Sequence, residues 1–180
     1  INHDGVINKY DIVYLGNTQP LVTGGGGVTV KYKQVSLSAF FHGRFGQSIV
    51  NMARMNNESM YGSSNQSKAV LRRWKNEGDN TDIPRALYNE GRNYLGSDRF
   101  VEKASFVRLK SMTLSYGFPR KICNKFNVNS LSVFVTGYNL FTWTNYTGQD
   151  PEVSVKDNLA IDTATTPVSK RFSFGLNMSF

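Results

Sequence analysis

The sequence predicts an all-β chain, a run of antiparallel strands joined by connections that alternate in length. Three observations predict it. The composition is rich in residues that suit pleated surfaces and the turns between them: 9 Tyr, 12 Phe and 16 Gly, with many Val, Ser, Thr and Asn. Several segments alternate apolar and polar residues with a period of two, which sends the two sets to opposite faces of a strand. The stretches between these segments run short, long, medium and long.

The elements follow in order. Val28, Val30 and Tyr32 alternate with Thr29, Lys31 and Lys33. Val35, Leu37, Ala39 and Phe41 then alternate with Ser36, Ser38 and Phe40, and the brief Lys33-Gln34 link between the two segments predicts a hairpin. The glycine run Gly24 to Gly27 lacks the Lys-Ser/Thr and following helix of a phosphate loop, and reads as a mobile entry to the first strand. From Phe106 to Tyr116 the apolar phase changes, with Val107 and Leu109 on one face and then Met112, Leu114 and Tyr116. Such a slip predicts a β-bulge or the point where the strand leaves an apolar zone. Leu131, Val133 and Val135 alternate with Ser132, Phe134 and Thr136. The clearest segment is the last. Phe172, Phe174, Leu176, Met178 and Phe180 alternate with Arg171, Ser173, Gly175, Asn177 and Ser179.

A tilted strand of about 9–11 residues crosses a bilayer, and the last segment has that length. Its apolar face could point to the core of a soluble sandwich or to lipid, and alternation alone does not choose. No run of about 18 apolar residues exists, so a membrane-spanning helix is excluded. The mean hydropathy of -0.38 does not exclude a membrane barrel, in which only alternate residues face lipid. Arg108 and Lys110 would cost about 2–4 kcal/mol each on a lipid face at mid-bilayer, so they are expected to point inward or lie near a rim. Five strands cannot close a barrel, and an open sheet with a lipid face would leave its edges unpaired. The chain is therefore expected to be part of something larger.

The long connections are Gly43 to Ser105 and Thr142 to Lys170, and Gly117 to Ser130 is of medium length. Long loops on one side and shorter turns on the other are the habit of outer-membrane barrels. With Phe180 on the periplasmic side, the long stretches would be extracellular. The first should hold short helices near Ser48 to Met60 and Lys68 to Lys75.

Charge and special residues narrow the function. The 21 Lys and Arg exceed the 13 Asp and Glu, giving +8, yet the cations are scattered apart from pairs such as Arg72-Arg73 and Arg120-Lys121. No basic stretch is organised for nucleic acid. Cys123 is the single cysteine, which leaves no internal disulfide and no thiolate metal site. His3 and His42 have no carboxylate at catalytic spacing, so the chain is read as a non-enzyme without cofactor. The spacing of Asp79, Asp82, Asp150 and Glu152 matches no calcium loop, and Asp79 and Asp150, beside Gly78 and Pro151, are expected to serve turns and caps. Ile1 to Tyr10 lack the basic start and apolar core of a signal peptide, so for an exported protein an N-terminal portion would be missing.

Three segments carry a resemblance. Val135 to Glu152, VTGYNLFTWTNYTGQDPE, resembles the G-x-N-L-F-T-x-T-x-Y-x-G-x-D-P-E run of the SusC/RagA family of TonB-dependent outer-membrane transporters. Ser97 to Tyr116, SDRFVEKASFVRLKSMTLSY, is similar to that family's D-R-(aromatic)-(aliphatic)-E-x-A-S-F-x-R-L-K-x-x-T-L-x-Y stretch, with Lys103 where Asp or Asn is commoner. Leu71 to Arg85, LRRWKNEGDNTDIPR, looks like the family's R-W-x-x-x-G-D-x-T-x-x-P-R loop.

The resemblance implies that residues 1–180 are the C-terminal part of an antiparallel transmembrane β-barrel of about 22 strands, with the plug and N-terminal barrel absent. It implies import of oligosaccharide or peptide cargo across the outer membrane, with a SusD-like surface lipoprotein as lid. Energy would come from the TonB complex through the absent N-terminal parts, and outer-membrane lipid and lipopolysaccharide would surround the wall. Phe172, Phe174, Leu176, Met178 and Phe180 would form the outer-membrane assembly strand. Trp143, Tyr146 and Trp74 are candidates to contact substrate or lid, since aromatic faces bury C–H surfaces. The plainer reading makes Trp143 and Tyr146 girdle or loop-packing residues and Trp74 a packing residue. The competing function is a soluble extracellular β-sandwich that binds glycan or protein.

Overall fold

A computed structural model describes residues 3–6, 8–91, 97–153, 155–156 and 159–180. Among them the elements run β1 (Val22–Tyr32), β2 (Val35–Phe45), β3 (Ser48–Asn51), α1 (Met52–Asn57), β4 (Val101–Lys103), β5 (Phe106–Gly117), α2 (Arg120–Lys125), β6 (Ser130–Thr144), β7 (Val155–Lys156), β8 (Leu159–Asp162) and β9 (Arg171–Ser179). They form two compact units, a sheet unit (Pro20–Gly46, Ala104–Asn145, Thr166–Phe180) and a loop unit (Ile1–Gln19, Gln47–Lys103, Tyr146–Thr165).

The sheet unit is one antiparallel sheet in the order β1-β2-β5-β6-β9. The expected hairpin joins β1 to β2, with Tyr32 opposite Val35 and Lys33 in the left-handed region at φ 52°. Gly117 N donates to Gln34 O (2.8 Å), which sets both shorter connections at the same end of the sheet. α2 lies in the second of these connections. Its flanks are tied back where Phe118 N donates to Leu131 O (2.9 Å) and Asn129 N to Ser179 O (2.7 Å).

The phase slip in Phe106 to Tyr116 is a bulge. β5 inserts Lys110 relative to β2, because Phe40 pairs with Ser111 and Phe41 with Leu109. Against β6 the count is reversed. Asn139 and Leu140 oppose Lys110 alone, between the pairs Ser111–Tyr138 and Leu109–Phe141. Asn139 takes φ 52°, the left-handed conformation that Asn tolerates better than most residues. Its Nδ2 donates to Ser169 O (3.2 Å). A Cβ on Gly137 would stand 2.9 Å from both Leu140 Cδ atoms. The Gly137-Tyr138-Asn139-Leu140 run is thus a bulge sequence, with Gly137 leaving room for Leu140 and Asn139 turning the strand.

The glycine run corrects an expectation. Gly24 to Gly27 lie inside β1 and pair with Gly43, His42, Phe41 and Phe40. A Cβ on Gly25 would meet Phe40 Cζ at 2.9 Å, and one on Gly27 would meet Ala39 O at 3.2 Å and Phe40 Cδ2 at 3.4 Å. The Phe40 ring covers these glycines, and that cover keeps a glycine-rich strand regular. β2 also runs on to Phe45, so the long connection starts later than Gly43.

The loop unit holds what sequence reading expected to be loops with short helices. α1 falls within Ser48 to Met60, and a 3-10 turn spans Lys68–Arg72. Ser48–Asn51, however, is strand β3 and not helix. A second small sheet runs β4-β3-β8-β7, with β3 and β8 parallel through Val50–Ile161 and Asn51–Asp162. Among the described residues, Ile49, Met55, Met60, Ile83, Phe100, Tyr146 and Ala160 are the buried apolar residues of the loop unit. Such four-residue strands carry too little alternation to be seen in sequence.

Candidate functional site

The ladder fixes which side chains share a face of the five-stranded sheet. One face carries Val28, Val30, Val35, Leu37, Met112, Leu114, Val133, Val135 and the even residues of β9. It stays exposed: Phe172 60%, Phe174 81%, Leu176 57%, Met178 47% and Phe180 82%. Aromatic residues mark its ends. Tyr32 and Tyr116 stand toward the short connections, and Tyr116 meets Phe118 edge-on at 5.2 Å. At the other end Trp143 lies 6.4 Å from Phe41 and 6.1 Å from Phe141, ring centre to ring centre.

The opposite face is largely polar, with Phe40 and Phe134 lying over its glycines. Thr29 and Ser38 share a hydrogen bond (2.9 Å), as do Thr113 and Thr136 (2.8 Å). Arg108 stands on this face, opposite His42 and Thr142, and is 1% exposed. Its Nε donates to Thr142 Oγ1 (2.9 Å), so this cation keeps off the apolar face as its charge requires. Arg171 sets its guanidinium 4.6 Å over the Tyr138 ring. A Cβ on Gly175 would fall inside the space of the Phe134 ring, the second case of a phenylalanine covering a glycine.

In the loop unit the charged residues form a network. Arg54 Nε bonds Glu58 Oε1 (3.0 Å) and Arg54 Nη1 bonds Glu102 Oε1 (3.2 Å), while Arg99 Nη2 lies 3.5 Å from Glu58 Oε2. Glu102 also accepts from Thr147 N (2.9 Å), Thr147 Oγ1 (2.8 Å) and Asn51 Nδ2 (3.2 Å). Burial alone would raise the Glu102 pKa, but these donors hold it below the ordinary glutamate value. Against the pull of burial, Glu58 and Glu102 hold the Arg54 pKa above its ordinary value. A cleft of about 560 Å³ opens above this network, bordered by Arg54, Asn57, Arg72, Gln149 and Asp162. Its volume is that of a small-ligand site.

The named candidates separate. Trp143 belongs to the apolar face of the sheet. Tyr146 is buried in the loop unit, its hydroxyl donating to Asp162 Oδ2 (2.6 Å). Burial, then the bond to Asp162, pushes its pKa up. Gly148 is glycine because a Cβ there would strike the Tyr146 ring. Trp74 is half-buried and its backbone N–H donates to Ile83 O (2.9 Å). Asp79 closes its turn by accepting from Lys75 N and Asn76 N (2.9 Å each), and Asp150 accepts from Glu152 N (2.9 Å). Both are turn residues, as expected. Asp82 pairs with Arg72 (3.2 Å) at the surface. Among the described residues no three of His, Cys, Asp and Glu converge. Sequence reading missed Arg54, Glu58, Arg99 and Glu102 as a unit. The one local signal was the four-residue spacing of Arg54 and Glu58 across the end of α1.

The class this geometry defines is an all-β chain of two units, one a five-stranded antiparallel sheet with an exposed apolar face, the other built of loops around a small sheet. The comparisons give its kin. No family model matches the chain. It is 29% identical over 188 residues to TonB-dependent receptor P3 of Formosa agariphila, covering 100% of this chain and 18% of that protein. It is 30% identical over 186 residues to TonB-dependent receptor P26 of the same organism, covering 99% and 19%. The RagAB peptide transporter matches with TM-score 0.79 at 28% identity, over 91% of this chain and 17% of that one. The RagAB peptide importer in the open-open state matches with TM-score 0.75 at 28% identity, again over 91% and 17%. The resemblance to the SusC/RagA type of TonB-dependent receptor is therefore borne out, and the chain spans about a fifth of the length of the curated relatives it matches.

Proposed function

We propose that the chain supplies wall strands and outer loops of an outer-membrane transporter that imports oligosaccharides or peptides. In this reading residues 1–180 are the C-terminal part of a barrel of about 22 strands. A SusD-like lipoprotein lids its outer mouth, and TonB drives uptake through parts outside this chain. The observation that carries the proposal is the exposed apolar face of the five-stranded sheet, bounded by aromatics at both ends, on a sheet whose edges β1 and β9 have no partner among the described residues. Lipid satisfies that face and neighbouring strands satisfy those edges. A soluble sandwich would instead bury the residues that are exposed here. Likeness to receptors and to a peptide importer supports transport, and Trp143 with Phe141 and Phe41 then serves as an interfacial belt.

An arginine scan tests it. Leu114→Arg, on the apolar face, should cost about 2–4 kcal/mol of folding into vesicles if that face meets lipid. Ser115→Arg, on the polar face, should fold nearly as the parent does. Heat-modifiable gel mobility measures both, and equal folding of the two variants would sink the proposal.

A further inference from the structure

We propose that the cleft in the loop unit is a carboxylate-binding subsite, built around the free donors of Arg54 and Arg72; the inference rests on the import reading above. The charges that the cleft presents are unequal. Its acids are spent and sunk: Asp162 is 3% exposed and accepts from Tyr146 and Ala164, and Glu58 is 4% exposed and tied to Arg54 and Arg99. Its cations are only partly used. Arg54 commits Nε and Nη1 to Glu58 and Glu102, and no bond to Nη2 is found among the described residues. Arg72 uses Nη2 alone, on Asp82, in a pair whose side chains are 64% and 59% exposed. An exposed pair of that kind contributes little and exchanges readily. Asn57 and Gln149, both exposed, add carboxamides at the rim.

What remains open to a ligand is therefore two guanidinium edges above buried carboxylates, of which Asp162 is hydrogen-bonded and Glu58 is ion-paired, its Oε2 meeting only Arg99 at 3.5 Å. Guanidinium forks match a carboxylate through paired, charge-assisted hydrogen bonds. Glu58 and Glu102 hold Arg54 in place before any ligand arrives, which lowers the ordering cost of binding. Among the described residues no aromatic ring borders the cleft, so they offer a neutral sugar no stacking surface. The carboxylate could be a peptide C-terminus or a uronate.

Calorimetric titration of the intact transporter in detergent tests the subsite, with trialanine, trialanine amide, trigalacturonate and maltotriose as ligands. At least one acid should bind, and trialanine amide and maltotriose should bind tenfold or more weakly by comparison. Tighter binding of trialanine or of trigalacturonate identifies the source. Arg72→Gln should weaken the acid about tenfold and leave the amide unchanged, the loss expected for one charged hydrogen-bonding partner. Arg54→Lys keeps a cation for Glu58 but removes the fork, and should weaken the acid without unfolding the loop unit. The subsite is overturned if trialanine and its amide bind alike and trigalacturonate binds no better than maltotriose, if neither acid binds, or if Arg72→Gln changes nothing. Uptake in cells separates the two readings. Import that persists unchanged in Arg72→Gln cells removes the subsite and leaves the transporter, whereas uptake unaffected by deletion of the transporter gene removes the import reading itself.

Discussion

At the residue scale, two positions show how much one backbone angle or one carboxylate decides. Asn139 holds φ 52° at the bulge where β6 gains a residue on β5, and its side chain reaches Ser169 O. Asn139→Val places a β-branched residue in the left-handed region and removes that bond. The expected cost is about 1–2 kcal/mol, read as a lower unfolding midpoint, whereas Asn139→Gly should lose less. Glu102 gathers Arg54, Asn51 and both donors of Thr147. Its folded pKa is lowered, so its contribution is full above the unfolded glutamate value, near 4.5, and is lost as pH falls through the lowered one. Hydrogen exchange around Arg99 and Thr147 should rise in that acid window, and Glu102→Gln should flatten the pH dependence.

At the scale of elements, β1 and β2 depend on one ring. Phe40 covers Gly25 and Gly27, which have no side chains of their own to pack across the ladder. Phe40→Ala should destabilise the hairpin by about 1 kcal/mol and raise exchange of the β1 amides, with β6 and β9 unaffected. The glycine run was misread from sequence as a mobile entry because its partner lies on the next strand. The slip between Leu109 and Met112 allowed a bulge or a strand leaving an apolar zone, and the register shows the bulge. Its left-handed residue was not foreseen, since Asn139 is a common turn residue with nothing local to mark its role.

For the whole molecule, the proposed transporter would pair the edges β1 and β9, which have no partner among the described residues, with neighbouring strands and set the exposed apolar face against lipid. Removing Arg171 to Phe180 from the intact transporter would strip β6 of one of its two partners and leave it an unpaired edge. Outer-membrane fractions should then lack the folded, heat-modifiable band, while Phe180→Ala alone should reduce it. Two family-like runs gain a physical meaning at this scale. Glu102 in one and Thr147 in the other are hydrogen-bonded partners, so the loop unit is closed by residues that the sequence keeps far apart.

The sequence by itself determined the alternating segments of the five-stranded sheet, their two faces and the hairpin at Lys33-Gln34, and it narrowed the slip in β5 to two readings. These follow from a period of two and from turn chemistry, which act between residues next to one another. Only the tertiary structure decided the parallel pairing of β3 with β8, the burial of Tyr146 against Asp162, and the joining of Arg54, Glu58, Arg99 and Glu102. Apart from the i,i+4 pair of Arg54 and Glu58, those contacts link residues distant in sequence: 16 positions for Tyr146 and Asp162, 41 for Glu58 and Arg99, and 48 for Arg54 and Glu102. Nothing in the local pattern of an arginine or a glutamate states which distant partner will neutralise it. That choice is made when the loops close and each buried charge must find its opposite.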